Sequence, residues 1–318
     1  MTTSGAKPPP PAARRRGPIL TLRDLSLLEA LFTARYLSTP QIQALFWQES
    51  KGGSEWGRVK ACQQRLKKLH AAGLLRRISP PVKKGVNLPY IYALAQAGAK
   101  LVSSELGVEL REIDWRPKAH EEHYPFMEHL LATTDFRIAI STAGPQVGVT
   151  LEEWLDEKVL RSAGNVDYVT IIGPDGGTLH SACIPDACFL LGRDGKRGLF
   201  MVETDLKTVT IAPSLWERRG WKNKCRSYVA WFQTEAYRNR YAGRMARVLT
   251  ITSSQTRLEH LQRATEAVFA ELKQSGEETR AQSLFWFANF ADALVPEQVL
   301  TAPIWQVAGS DLPRRLIE

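Results

Sequence analysis

The stretch IPDACFLLGRDGKRGLFMVETDLK, from Ile184 to Lys207, restricts the fold of this chain more than any other segment. Two apolar runs flank Asp194-Gly195, a dipeptide favoured in two-residue type I′ hairpins because both central residues take positive φ. A loop of those two residues leaves one register. Arg193 pairs with Lys196 and, counting back along both strands, Asp186 comes to lie opposite Glu203. Side chains opposed in this way stand about 5 Å apart on one face, where like charges repel. Alternation adds Asp205, and Lys207 if the strand continues, to Glu203's face. An acidic cluster between apolar strands requires a divalent cation, a nearby Lys or Arg, or a raised carboxyl pKa. Its oxygen ligands suit Mg²⁺, so Asp186, Glu203 and Asp205 are the candidate metal ligands.

The first hundred residues carry a different pattern. Leu22, Leu25, Leu28, Leu31 and Phe32 recur at helical spacing. Ser38 and Thr39 offer N-caps ahead of Pro40, and Ile42, Leu45 and Phe46 supply an apolar face. A third helix runs from Glu55 to about Ala72, with Val59, Cys62, Leu66 and Leu69 inward and Gly73 as its stop. Leu74 to Ile78 and Tyr90 to Leu94 read as strands either side of the basic turn PPVKKGVNLP, and a further helix spans about Ala95 to Leu106. Three helices and a basic two-stranded wing describe a winged helix-turn-helix, in which the third helix enters the major groove and the wing rests on the backbone. Arg58, Lys60, Gln63, Gln64, Arg65, Lys67 and Lys68 on that helix, with Lys83, Lys84 and Asn87 in the wing, are residue types that meet phosphates and base edges. Charge agrees. Met1 to Lys100 holds 17 Lys and Arg against 4 Asp and Glu, a net of +13, whereas the remainder holds 25 against 29, a net of −4. The expected partner of the first part is double-stranded DNA.

Other classes are excluded by pattern. No run of 18 apolar residues crosses a membrane, and the Pro- and Arg-rich start lacks the apolar core of a secretory signal. Cys62, Cys183, Cys188 and Cys225 show no paired CxxC spacing, as expected of free thiols in the cytoplasm rather than a zinc site. Residues 1–18 read as a disordered basic tail, 19–108 as the winged-helix unit, 109–125 as a linker and 126–318 as a second domain. In that domain the expected elements are a helix from Phe126 to Ala143 and apolar runs at Val147–Trp154, Asp167–Ile172, Ala182–Leu191 and Gly198–Asp205. A long helix from about Pro213 to Tyr241 follows, then a strand Arg247–Thr252, a helix Thr256–Gln274 and a strand Leu284–Ala288. That order gives an α/β fold, α+β overall, with a three-layer α-β-α second domain.

Pro-Asp, a hairpin and then Glu-x-Asp resembles the PD-(D/E)xK restriction-endonuclease-like fold over about Phe126 to Thr252. The resemblance implies that Asp186 and Glu203 hold Mg²⁺. The family's lysine position is Asp205 here, so the resemblance implies a displaced lysine: Lys207, or Lys222 and Lys224 on the next helix. The chain as a whole resembles the replication-relaxation family of bacterial mobile-element proteins. The stretches that carry this are RDLSLLEALFTARYLSTPQIQALF (Arg23–Phe46), QRLKKLHAAGLLRR (Gln64–Arg77) and YIYALAQAGAKLV (Tyr90–Val102). They continue with HLLATTDFRIAI (His129–Ile140), IPDA (Ile184–Ala187), FMVETDLKT (Phe200–Thr208) and Lys224 with Tyr228. It implies plasmid replication, relaxation and conjugative mobilisation, and winged-helix DNA binding; a relaxase or replication protein is the expected protein partner, and a homodimer the expected further assembly. The expected function is therefore a DNA-binding accessory protein with a degenerate nuclease-like domain. A Mg²⁺-dependent endonuclease or nickase and a transcriptional repressor are the alternatives. DNA binding itself is expected to need no cofactor.

Overall fold

The computed structural model describes residues 18–48, 54–81, 87–111, 113, 115, 123–162, 164–172, 176–206, 220–277 and 280–317. The Pro-rich tail, the wing lysines Lys83 and Lys84, and Lys207 lie outside them.

The N-terminal unit is built from α1 (Leu22–Ala34), β1 (Leu37–Ser38), α2 (Thr39–Phe46), α3 (Glu55–Ala71), β2 (Leu75–Ile78), β3 (Ile91–Leu94) and α4 (Gln96–Leu106). Its starts follow local chemistry. Thr21 and Asp24 close a capping box on α1, Ser38 and Gln41 close another on α2, and Ser54 caps α3. Leu27, Leu28, Leu31, Ile42, Cys62, Leu66 and Leu69 meet in one apolar core with Leu75 and Leu94. The antiparallel sheet runs β1-β3-β2. Its two-residue β1 was not anticipated, because two residues show no alternation. Past α4, Ile113 is 3% exposed and Trp115 packs beside it, so part of the expected linker belongs to this core.

The larger part comprises α5 (Tyr124–Ala143), β4 (Thr150–Asp156), α6 (Glu157–Leu160), β5 (Asp167–Ile172), β6 (Thr178–Cys183), β7 (Ala187–Arg193) and β8 (Lys196–Asp205). It continues with α7 (Trp221–Gln233), α8 (Glu235–Arg240), β9 (Arg247–Thr252), α9 (Gln255–Gln274), β10 (Phe285–Asn289), α10 (Phe290–Ala293), α11 (Pro296–Val299) and β11 (Gln306–Val307). Six strands form one mixed sheet in the order β11-β10-β9-β8-β7-β4, with β8-β9 and β9-β10 parallel. Period-2 alternation sorts the central strands. Phe189, Phe200 and Val202 pack against Phe136 and Ile140 of α5, while Cys188, Leu199 and Met201 pack against Tyr228 of α7 and Leu261 of α9. The molecule is thus a mixed α/β protein with helices on both faces of this sheet. Among the described residues no helix is long and apolar enough to cross a membrane.

Three elements depart from expectation. The apolar run Ala182–Leu191 is two strands, β6 and β7, broken at Ile184-Pro185-Asp186; β6 turns back to pair with β5. Pro185 supplies no N–H, which suits a chain leaving one sheet for another. The described part of the long helix begins at Trp221, and Thr234 at ψ 151° breaks it, its hydroxyl capping α8 at Tyr237 N (3.1 Å). The first strand starts at Thr150 rather than Val147, because Gly144 to Val147 form a tight helical turn.

The N-terminal unit packs on α5. Tyr36, Ile91 and Ala93 meet Met127, with Leu130 and Leu131 against them. Gln41 Nε2 donates to Leu131 O and to Asp135 Oδ1, both at 2.7 Å.

Candidate functional site: a carboxylate centre and a basic helix face

From Arg193–Lys196 to Ala187–Val202 the β7–β8 register matches the turn-based derivation, and the ladder ends there, one residue short of Asp186. Asp194 (φ 49°) with Gly195 (φ 75°) supplies the two positive-φ turn residues. Asp186 sits one residue before β7, its N–H bonded to Val202 O at 3.0 Å. Glu203 lies on β8 facing α7 and is 3% exposed.

Both acids are answered by cations. Glu203 Oε2 accepts from Lys224 Nζ on the first turn of α7, and Oε1 accepts from the Tyr228 hydroxyl one turn on, at 2.6 Å. Asp186 Oδ2 accepts from Thr204 N at 2.7 Å and lies 3.2 Å from His129 Nε2 on α5. That nitrogen is also 3.0 Å from Thr204 O. Two acceptors on Nε2 require it to carry a proton. Thr133 Oγ1, one turn along α5, meets Thr204 Oγ1 at 2.8 Å.

Burial raises the Asp186 pKa, but the charges of His129 and Lys224 and the bonds from His129 and Thr204 outweigh it and hold it at about 2. Burial lowers the His129 pKa, and the Asp186 carboxylate overrides this to lift it to about 9. For Glu203 burial dominates and, with Asp186 beside it, moves the carboxyl up to about 7 against the pull of Lys224 and Tyr228. Lys224 moves up despite its own desolvation because two carboxylates face it. Two carboxylates and two cations form one balanced network.

Of the expected site residues, Asp186, Glu203 and Lys224 come together. Lys222 is paired with Glu271 at 3.0 Å. Asp205 shares Glu203's face but is claimed elsewhere. Arg257 of α9 binds it bidentately at 2.8 and 3.0 Å, and Thr252 Oγ1 donates at 2.9 Å. Among the described residues no group of three or more His, Cys, Asp or Glu side chains is arranged to hold a metal. As arranged the donors do not fit a divalent cation. Both Glu203 oxygens and Asp186 Oδ2 already receive hydrogen bonds, and Lys224 and His129 supply the positive charge a metal would bring. His129 is the member that sequence reasoning missed, and Tyr228, noted only beside Lys224 in the family resemblance, was given no place in the site.

On α3 the core face is Cys62, Leu66 and Leu69. Lys60, Gln63, Gln64, Lys67 and Lys68 are exposed on the rest of the helix, while Arg58 is half-buried. Arg65 points away from the exposed stripe. Its Nε donates to Asp24 Oδ1 at 2.8 Å, a second nitrogen binds Asp24 Oδ2, and a bond reaches Ile19 O at 2.7 Å. Asp24 is fully buried, so this pair clamps α3 to the start of α1. Beside the sheet, the Arg77 guanidinium lies 4.5 Å from the Tyr90 ring centre, and Asn87 is exposed.

A family model described as replication-relaxation matches residues 28–248, from within α1 into β9. No curated protein and no solved structure matches the chain.

Proposed function

Because this chain belongs to the replication-relaxation family, we propose that it is a cytoplasmic DNA-binding accessory protein of a bacterial mobile element, acting in plasmid replication, relaxation or mobilisation. The observation that carries this reading is the exposed stripe of Lys60, Gln63, Gln64, Lys67 and Lys68 along α3, within the first hundred residues, whose net charge is +13. In this reading the N-terminal unit is a winged helix with α3 in the major groove, its lysines neutralising phosphates and its amides meeting base edges. The six-stranded domain is a nuclease-like scaffold whose carboxylate pair is closed by Lys224 and His129, and it takes a relaxase or replication protein as partner. Duplex binding measured by mobility shift across a salt series tests the proposal. Affinity falling steeply with salt is expected from counterion release, and salt-independent or absent binding would defeat it.

A second reading, a Mg²⁺-dependent nickase, is favoured by one observation: Lys224 stands beside the carboxylate pair, as a displaced lysine would. Supercoiled plasmid incubated with the protein and Mg²⁺ or Mn²⁺ separates the two. Nicking that disappears in Asp186→Ala and Glu203→Ala supports the enzyme, and intact plasmid with either ion supports the scaffold.

A further inference from the structure

Trp56 is 71% exposed on the first turn of α3, an unusual place for the largest apolar side chain. Its neighbour one turn on is Lys60, whose ammonium lies 4.8 Å from the ring centre. A cation held over an indole face fixes the ring's orientation. At 3.6 residues per turn, Trp56, Lys60, Gln63 and Lys67 fall within an arc of about 60°, well away from Cys62, Leu66 and Leu69. The indole is therefore the N-terminal member of the same stripe that carries the exposed amides and lysines.

We propose that Trp56 is a thymine-reading residue: its indole packs against thymine C5-methyl groups in the major groove while Lys60 braces the ring and reaches the flanking phosphate. The inference rests on the DNA-binding reading above and assigns it a base preference. Three considerations lead to it. The N-terminal part of a groove-docked helix is the part that meets base edges. Apolar contact with the thymine methyl is the one sequence-specific feature of the major groove that an indole can read without a hydrogen bond. The lysines around it make the surface attractive to a polyanion and costly for an apolar protein partner to cover.

The test uses the full chain. Duplexes recovered from a random-sequence pool by the wild-type protein are resynthesised with deoxyuridine replacing thymidine one position at a time, which removes only the methyl group. Wild-type affinity should fall about three- to tenfold at one or two positions, as expected for losing a buried methyl contact. Trp56→Ala should bind the thymine duplex as weakly as wild type binds the deoxyuridine one, lose all sensitivity to the swap, and keep the salt slope. Trp56→Phe should retain part of the sensitivity. Unchanged thermal unfolding of both variants shows that the effect belongs to the surface. Wild-type binding without methyl sensitivity, or sensitivity surviving in Trp56→Ala, overturns the inference and leaves DNA binding standing. No salt-dependent binding by the wild-type chain overturns both.

Discussion

The Gln41 side-chain amide lies 2.7 Å from the Asp135 carboxylate, joining the capping box of α2 to the middle of α5. Gln41 is 3% exposed and spends its oxygen on Ser38 N at 2.9 Å, so one side chain both starts the helix before α3 and binds the helix that carries His129. Burial raises the Asp135 pKa, with the Gln41 bond opposing. An acid whose folded pKa is raised favours the folded state when protonated, so its contribution is lost as pH rises above the ordinary value of 3.8. Asp135→Asn keeps an acceptor for Gln41 and removes the charge. The variant should melt higher than wild type at pH 7, and the two should converge toward pH 4. Gln41→Ala should destabilise by about 1–3 kcal/mol, the cost of leaving partly buried acceptors unpaired. Equal melting temperatures for wild type and Asp135→Asn at pH 7 would contradict this account.

His129 gives a second pH dependence with its own window. A histidine raised from 6.5 to about 9 by Asp186 contributes stability that is fully present below pH 6.5 and lost as pH rises toward 9. Denaturant midpoints of the wild type should fall across that interval. His129→Gln, which keeps a donor but not the charge, should start lower and fall less steeply between the same limits, the remaining slope at its lower end coming from Glu203. A variant curve parallel to wild type would mean that the imidazolium is not what Asp186 holds.

Among the described residues, Lys224 and Tyr228 donate to the two oxygens of the Glu203 carboxylate, which is 3% exposed. Lys224→Ala leaves Glu203 buried without its cation. A third of the Lys224 side chain is exposed, so the expected loss is about 1–3 kcal/mol rather than the larger cost of a fully buried pair. The double variant Lys224→Met with Glu203→Gln removes both charges and should recover most of it. Urea unfolding of Lys224→Met, Glu203→Gln and the double measures the coupling.

How much of this was legible in the sequence depended on how many free choices each feature left. The two-residue turn leaves a single register, so Asp186 beside Glu203 followed from counting. The cap at Ser38 was equally local. Contacts set by packing were not legible. His129 reaches Thr204 across 75 residues of sequence, and nothing in its own helix says that its ring faces a carboxylate. Alternation put Asp205 on Glu203's face, yet only the approach of α9 delivers the Arg257 fork that removes it from the site. The β6–β7 break was written in Pro185, but a continuous apolar run masked it. Arg65 looked like one more cation on a basic helix until Asp24, 41 residues earlier, was seen to hold it.

Arg65 and its neighbours Lys67 and Lys68 should therefore fail in different assays. Asp24 is fully buried and receives both Arg65 nitrogens, so Arg65→Ala uncovers a buried carboxylate and should cost about 3 kcal/mol of stability. Any fall in DNA affinity would follow from the loosened seat of α3. Lys67→Ala with Lys68→Ala touches only exposed side chains and should leave the melting temperature within a degree or so. If both lysines meet phosphates, the same double variant should lower the slope of log affinity against log salt by about 2, at roughly 0.9 per phosphate. Loss of stability in the lysine variant, or an Arg65→Ala protein as stable as wild type, would reverse the assignment of these side chains to surface and frame.

Gly195 provides a test of the hairpin itself. Its φ of 75° lies in the left-handed region, and a Cβ there would meet no atom within 4 Å, so Gly195→Ala isolates the backbone preference from any steric clash. The expected loss is about 1–2 kcal/mol. Asp194 (φ 49°) needs the same region, and Asp194→Gly should be neutral or slightly stabilising because the strain of a non-glycine residue is relieved. Asp194 also sits 3.5 Å from Arg193 with most of its side chain in water, a pair too exposed to offset that relief. The register survives either change, since the apolar pairs Phe189–Phe200 and Leu191–Gly198 still hold the strands, so the carboxylate centre at the far end should keep its pH profile. A Gly195→Ala protein whose pH profile shifts together with its stability would show that the turn, and not the packing along the strands, keeps Asp186 near Glu203.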